Sequence, residues 1–218
     1  MGNKRLLLIG GGGHCKAVLD SLTHNCLFSD IAIIDKKRIG ENILGYPVIG
    51  TDEDLRDLRA SGWTDAFITV GSIGITNSRR SLMGLIINLG FNLPKIIDST
   101  AILAKNIAIC NGVYIGKGAI VNSGSYLGVC SIINSGAVVE HDCTIGDFVH
   151  ISPSATLCGF VKVGNDTHIG ANASIRQGLS IGSYSLIGMG SVVVKNIPDR
   201  VLAYGCPCSV RRTICELK

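Results

Sequence analysis

The run Val139-Glu140-His141-Asp142-Cys143 sets a histidine between two carboxylates. An imidazole has an ordinary pKa near 6.5, so it accepts a proton near neutrality, and a carboxylate on one ring nitrogen fixes the tautomer that leaves the other free to act. His141 is therefore the candidate general base, set against the plainer reading of a solvated histidine on an outer face. Two more histidines, His150 and His168, stand 18 residues apart. With His141 recruited from another face or subunit they would supply the three nitrogens of a zinc site. A second chemistry-bearing stretch lies near the start, where Gly10, Gly11, Gly12 and Gly13 are followed by His14. Backbone N–H groups of such a turn, with the start of a following helix, form a site for phosphate.

The elements that must position these residues differ between the two halves of the chain. Lys4 to Ile9 reads as a β-rich run, followed by the glycines and by a helical pattern from about His14 to Leu22. Ile31 to Ile34 forms a second strand ending at Asp35, Ala66 to Val70 a third, and a helix follows over about 77–89. That order implies a parallel sheet with ligands at the carboxyl ends of its strands. Gly12, Gly13 and His14 would meet phosphates. Asp35, with Lys36 beside it, would reach a ribose or base, and Arg38 adds charge. The other reading of the same residues is a tight turn and a capped strand. The dinucleotide fingerprint wants a third glycine where Cys15 stands, which argues against NAD.

The second half repeats every six residues. An aliphatic side chain stands at each step of six from Ile97 through Leu103, Ile133, Val139, Ile151 and Ile169 to Val193. With Ile, Leu and Val at roughly 30% of the chain, such a run arises by chance on the order of once in a billion. Four places on stand small or β-branched residues such as Ala119, Ser131, Cys143, Ala155 and Ser185. Both sets must face inward. A hexad fits one short strand and one corner, and three make a triangular coil, so residues 18 apart stack in parallel strands. Glycines directly after the aliphatic position, Gly116, Gly128, Gly146, Gly164, Gly170, Gly182 and Gly188, are expected to be the tight corners. His141 then lies at the third place of its hexad and faces outward, while His150 and His168 fall at the sixth place and stack one coil apart, with His168 read as a surface residue. The expected boundary separates 1–94 from 95–218.

Composition narrows the function. The chain has 218 residues, 46% hydrophobic and 17% charged, with a mean hydropathy of +0.39, too much to bury and too little charge for disorder. No run approaches the roughly 18–20 apolar residues of a membrane span. A net charge of +4 suits a phosphorylated small molecule and lacks the dense basic stripes of a nucleic-acid binder. Nine cysteines and a short apolar run at the start fit a reducing cytoplasm. Cys206-x-Cys208 has no companion cluster to complete a metal site.

The hexad pattern resembles the left-handed parallel β-helix of hexapeptide-repeat acyltransferases. With the Ile-Gly-Gly-Gly-Gly-His unit ahead of it, nearly the whole chain is similar to bacterial nucleotide-sugar acetyltransferases, among them sialic acid O-acetyltransferases and UDP-4-amino-sugar N-acetyltransferases of bacillosamine-type pathways. The resemblance implies a Rossmann-like α/β domain followed by a left-handed β-helix, assembled as a homotrimer with acetyl-CoA between adjacent helices and no metal. It implies that His141 is the base, that Asp142 orients it with Glu140 as the weaker partner, and that Asn134 lies at the acceptor sugar, although an internal Asn ladder also fits that residue. It further implies that His150 lines the cofactor groove, that the Gly159 N–H meets the thioester carbonyl, and that Gly170 and Gly188 wall the pantetheine. The tail Tyr204-Gly205-Cys206-Pro207-Cys208 resembles the family's Gly-x-Pro-Ala ending with Cys208 in place of alanine. Lys195, Arg211 and Arg212 either meet CoA phosphates or are solvated. The expected reaction is N-acetylation of a nucleotide-linked, UDP-carried 4-amino sugar. O-acetylation of sialic acid or a related sugar is the alternative within the class. A zinc hydratase of the gamma type and a non-catalytic scaffold are the alternatives outside it.

Overall fold

The computed structural model describes residues 4–23, 27–74 and 76–214. The start Met1 to Asn3, and Cys26 and Cys215 among the nine cysteines, lie outside the described residues. The chain divides into two compact units, one of residues 1–71 and 77–99, the other of 72–76 and 100–218. The first unit thus runs to Ser99, past the boundary expected at 94/95, and five residues between its last strand and last helix group with the repeats.

In the first unit, strands β1 (Arg5–Ile9), β2 (Asp30–Ile34), β3 (Asn42–Ile43), β4 (Tyr46–Gly50) and β5 (Asp65–Ile68) form one sheet in the order β3-β4-β2-β1-β5. β1, β2, β4 and β5 are parallel, and β3 is antiparallel to β4. Helices α1 (Gly13–Leu22), α2 (Leu55–Ala60) and α3 (Asn77–Asn88) complete the unit. The central strands are near-continuous apolar runs: Leu6, Leu7, Leu8, Ile33 and Ala66 are fully buried or nearly so, as strands covered on both faces require. The β3–β4 hairpin was not legible as a periodic run because β3 has only two residues. Its turn, Leu44 at φ 50° and Gly45 at φ 85°, has the two positive φ values that match the twist of paired strands.

In the second unit, two-residue strands recur every six residues from Ile102 to Val193 with no insertion. They stack 18 apart in parallel register on three faces of the left-handed β-helix. One face carries Tyr114–Ile115, Ile132–Ile133, His150–Ile151, His168–Ile169 and Leu186–Ile187, and continues into Val201–Gly205 with Cys208–Thr213 antiparallel beside it. The inward column from Ile115 to Val193 is at most 3% exposed, each side chain contributing roughly 1.5–3 kcal/mol of hydrophobic stabilisation. Leu103 and Ile109, in the first coil, are only half-buried because no coil covers their outer side.

The expected role of the corner glycines needs correcting. None of Gly116, Gly128, Gly146, Gly164, Gly170, Gly182 and Gly188 has a positive φ; the left-handed residue is two places later, at Gly118, Cys130, Asp142, Phe148, Phe160, Tyr184 and their equivalents. What demands glycine after the aliphatic position is the next coil. A Cβ on Gly128 would stand 2.5 Å from the carbonyl carbon of Gly146, and one on Gly170 2.6 Å from the Met189 nitrogen. These glycines let coils stack closely, while the turns themselves are made by a position that tolerates side chains at a cost of about 1–2 kcal/mol each.

Candidate active site

His141 and Asp142 occupy a corner between two faces. His141 Nδ1 lies 2.9 Å from Asp142 Oδ2, with both side chains about half exposed. Asp142 sits at φ 58°, the left-handed place of the turn, a conformation Asp tolerates better than most residues. An ionised carboxylate can only accept, so Nδ1 carries the hydrogen and Nε2 presents its lone pair. The ring extends over the next coil, where Gly159 stands one repeat below. A Cβ there would come within 2.5 Å of His141 Nε2, so the absence of a side chain at Gly159 makes the room the ring occupies. Phe160 completes the setting. Its ring meets His141 edge to face at 5.1 Å and 89°, and its N–H donates to His141 O at 3.0 Å.

Glu140 does not share the imidazole. Its Oε2 accepts a hydrogen bond from Asn122 Nδ2 at 3.0 Å, one coil away in the same column. Of the two expected acids, only Asp142 touches the base.

A second group gathers around His150. Asn134 Oδ1 accepts the Ser135 N–H at 2.8 Å, and Asn134 Nδ2 lies 3.2 Å from His150 Nε2. His150 Nδ1 lies 3.1 Å from Ser72 O. Asn134 is therefore not part of an Asn ladder: the column above and below it holds Gly116, Ser152 and Gly170. His168 meets His150 edge to face at 4.8 Å, and its Nε2 lies 3.1 Å from Ser152 Oγ. Burial pushes the His168 imidazole down from 6.5 to about 4, with the neighbouring His150 adding to the shift. His168 is thus a buried neutral ring and not the surface residue its outward hexad place suggests. Three of the four ring nitrogens of the two histidines meet Asn134, Ser72 and Ser152. Among the described residues the fourth, His168 Nδ1, is buried without a hydrogen-bond partner, and no group of three His, Cys, Asp or Glu is placed to hold a metal ion.

Gly170 and Gly188 lie in the Asn134 column, and each is held at close contact: a Cβ on Gly188 would meet Tyr204 Cβ at 2.7 Å. Lys195 is exposed, as is Arg212, and the Arg211 guanidinium stacks over the Tyr204 ring at 4.7 Å.

In the first unit, Gly10 has φ +108° and a Cβ there would meet Val70 Cγ2 at 2.7 Å, which reserves the position for glycine. Gly12 precedes α1, and both Gly12 and Gly13 are exposed with nothing within 4 Å of a would-be Cβ. The first N–H groups of a helix have no carbonyl four residues back, so this open helix start offers donors to an anion. Asp35 is built into the turn. Its Oδ2 accepts the Gly11 N–H at 2.8 Å and its Oδ1 the Lys37 N–H at 2.9 Å. Burial acts to raise its pKa, but those two donors and the charges of Arg38 and Lys37 outweigh it and hold the carboxyl below its ordinary value. Lys36 is exposed, while Arg38 pairs with Glu41 at 3.2 Å. Cys15 is fully buried, and burial raises its thiol to about 11. It therefore serves as an unreactive packing residue where a third glycine would stand.

Three participants escaped the sequence reading. Asn122 carried a usable signal, since it precedes Glu140 by one coil. Phe160 carried one only once the left-handed place in the hexad is known. Ser72 carried none, because it lies outside the repeat.

A profile described as the PglD N-terminal domain matches residues 5–84, and one for bacterial transferase hexapeptides, six repeats, matches 160–195. The structure of PerB from Caulobacter crescentus in complex with CoA and GDP-perosamine is 35% identical, with a TM-score of 0.89, covering 97% of this chain and 98% of that one. The acetyltransferase domain of PglB from Neisseria gonorrhoeae in complex with acetyl coenzyme A is 34% identical, with a TM-score of 0.90 and coverage of 96% and 100%. The galactoside O-acetyltransferase of Escherichia coli is 38% identical over 95 residues. The chain spans 47% of that curated relative's length.

Proposed function

The chain belongs to the hexapeptide-repeat acetyltransferases that carry a PglD-type N-terminal domain, and from that premise we propose that it transfers acetyl from acetyl-CoA to the amine of a nucleotide-linked amino sugar. The observation that carries this reading is the His141 imidazole, anchored at Nδ1 by Asp142 and left with Nε2 over a glycine. The amine nitrogen attacks the acetyl carbonyl carbon while Nε2 takes its proton. The C–S bond then breaks, and the departing thiolate receives that proton from the imidazolium. No covalent acetyl-enzyme is needed. An N–H donor toward the thioester carbonyl, the role assigned to Gly159, would stabilise the developing oxyanion.

The acceptor's phosphates belong at the open start of α1, with Gly12, Gly13 and His14, and its nucleoside near Asp35 and Lys36. Asp35 acts there chiefly by holding the glycine turn in shape. Acetyl-CoA runs past Gly170 and Gly188, with Lys195 and Arg211 near its phosphates, in a homotrimer whose grooves lie between neighbouring helices. Expectation from the sequence favours a UDP carrier, whereas the PerB complex holds GDP-perosamine, so the carrier is the first variable to test. An O-acetylated sugar is the second reading, supported by the galactoside O-acetyltransferase relative.

The test is incubation with acetyl-CoA and a panel of UDP-, GDP- and CMP-linked sugars, read by mass spectrometry of the sugar. Gain of one acetyl group on an amino sugar, reduced roughly 100-fold or more in His141→Ala with the fold intact, supports the reading. Acetylation confined to hydroxyl acceptors replaces amine with hydroxyl, and undiminished turnover in His141→Ala removes the base.

A further inference from the structure

His150 was expected to line the cofactor groove, yet both of its ring nitrogens are engaged by the protein itself. The direction of each hydrogen bond follows from one fixed point. The Ser135 N–H donates to Asn134 at 2.8 Å, which identifies that end of the amide as oxygen and the end facing His150 as NH2. An amide NH2 only donates, so His150 Nε2, 3.2 Å away, must accept with its lone pair. A neutral imidazole with a bare Nε2 carries its hydrogen on Nδ1, and Nδ1 lies 3.1 Å from a group that can only accept, Ser72 O. The chain of bonds is consistent end to end and has one tautomer.

The consequence falls on Asn134. Its amide is held in one orientation, with one oxygen lone pair and one N–H spoken for. A second N–H and a second lone pair remain for a ligand. Without His150 the NH2 end has no fixed partner and the amide is free to rotate. The same ring holds the Ser72 carbonyl. Thr76 Oγ1 donates to Asp166 Oδ1, and a Cβ on Gly74, at φ +72°, would come 3.0 Å from Leu186 Cδ1. His150, Asp166 and Leu186 belong to successive coils, so Ser72, Gly74 and Thr76 each meet the stack, Ser72 through His150. His168, edge-on to His150 at 4.8 Å, supports the ring from the next coil without competing for either nitrogen.

We infer that His150 is a positioning residue that acts through Asn134, presenting that amide's free N–H and oxygen to the acceptor sugar while its own Nδ1–H clamps Ser72. The kinetic part rests on the acetyltransferase reading above; the tautomer does not. A pair of substitutions separates the two contacts. His150→Gln can return an acceptor oxygen to Asn134, whereas His150→Asn reaches Ser72 O with its NH2 and leaves Asn134 unheld.

The expected result is a rise of roughly fivefold to tenfold in KM for the nucleotide sugar in His150→Asn. KM for acetyl-CoA and kcat should stay within about twofold, and His150→Gln should restore most of the loss. Ring-nitrogen 15N spectra of the unliganded full-length protein should show a protonated Nδ1 and a bare Nε2 at His150. A rise in KM for acetyl-CoA alone would assign the ring to the cofactor and overturn the inference, as would equal defects in the two variants or an Nε2–H tautomer. If the wild-type protein acetylates nothing in the panel, the catalytic reading fails, and the ring spectrum still decides the His150–Asn134 bond.

Discussion

His141 Nε2 occupies space that a side chain at Gly159 would take: a Cβ there would stand 2.5 Å from that nitrogen. The clash is with the end of a side chain that can swing away, not with backbone, so a methyl group should displace the base without unfolding the coil. Gly159→Ala should lower turnover by roughly 100-fold, the order of loss that a misplacement of about 1 Å produces. Its unfolding midpoint should stay near wild type. Unchanged turnover would show that the ring's seat over Gly159 is irrelevant to the reaction.

Asp142 offers a cleaner dissection of charge from shape. It stands at φ 58°, where Asn is tolerated as readily as Asp, so Asp142→Asn leaves the turn intact. The amide can still contact Nδ1, but it no longer stabilises the imidazolium and can favour the wrong tautomer if its NH2 faces the ring. A fall in kcat of roughly 10-fold to 100-fold is expected, with both KM values little changed. Glu140→Gln should have a far smaller effect, because Glu140 meets Asn122 and not the base. Equal losses in the two variants would contradict this division.

What the sequence made legible is tied to repetition. The six-residue period placed the inward column, put His141 outward and stacked His150 on His168, and all of that is seen in the register. The glycines after the aliphatic position were found correctly but explained wrongly, because a close approach and a left-handed turn both select glycine and composition does not separate them. His168 looked exposed by its hexad place. It is buried at 8% exposure, beside Ser152 and His150. Residues 72–76 have no period at all, so the partner of His150 could come only from the folded chain.

The buried His168 carries a pH dependence with a definite sign. Unfolded, its imidazole titrates near 6.5; folded, burial and then His150 push it down to about 4. Between those values the unfolded chain binds the extra proton, so stability is fully present above about pH 6.5 and is lost as pH falls toward 4. At most the loss is about 3 kcal/mol, from roughly 1.4 kcal/mol per unit of pKa difference. Urea unfolding across that range should show the decline, and His168→Asn should lack this component. A wild-type protein equally stable at pH 6.5 and pH 4 would mean the ring is not neutral and buried in solution.

The distinction between stacking glycines and turn glycines is itself testable, because the two sites differ in what a methyl group would meet. At Gly128 a Cβ would be 2.5 Å from the Gly146 carbonyl carbon and 2.7 Å from the Asp147 nitrogen. Both are backbone atoms locked in the next coil, so relief requires the coils to separate. At Gly118, φ is +62° and nothing lies within 4 Å, so an alanine there meets only the left-handed backbone cost of about 1–2 kcal/mol. Neighbouring turns already accept that cost at Cys130, Asp142 and Phe160. Gly128→Ala should therefore destabilise by more than about 3 kcal/mol, in the range of severe core overpacking, and Gly118→Ala by about 1 kcal/mol. Thermal unfolding of the two variants checks this directly. If Gly118→Ala proved the more damaging, the corners would be governed by backbone conformation after all, and the close approach of coils at Gly128 would not be what selects glycine there.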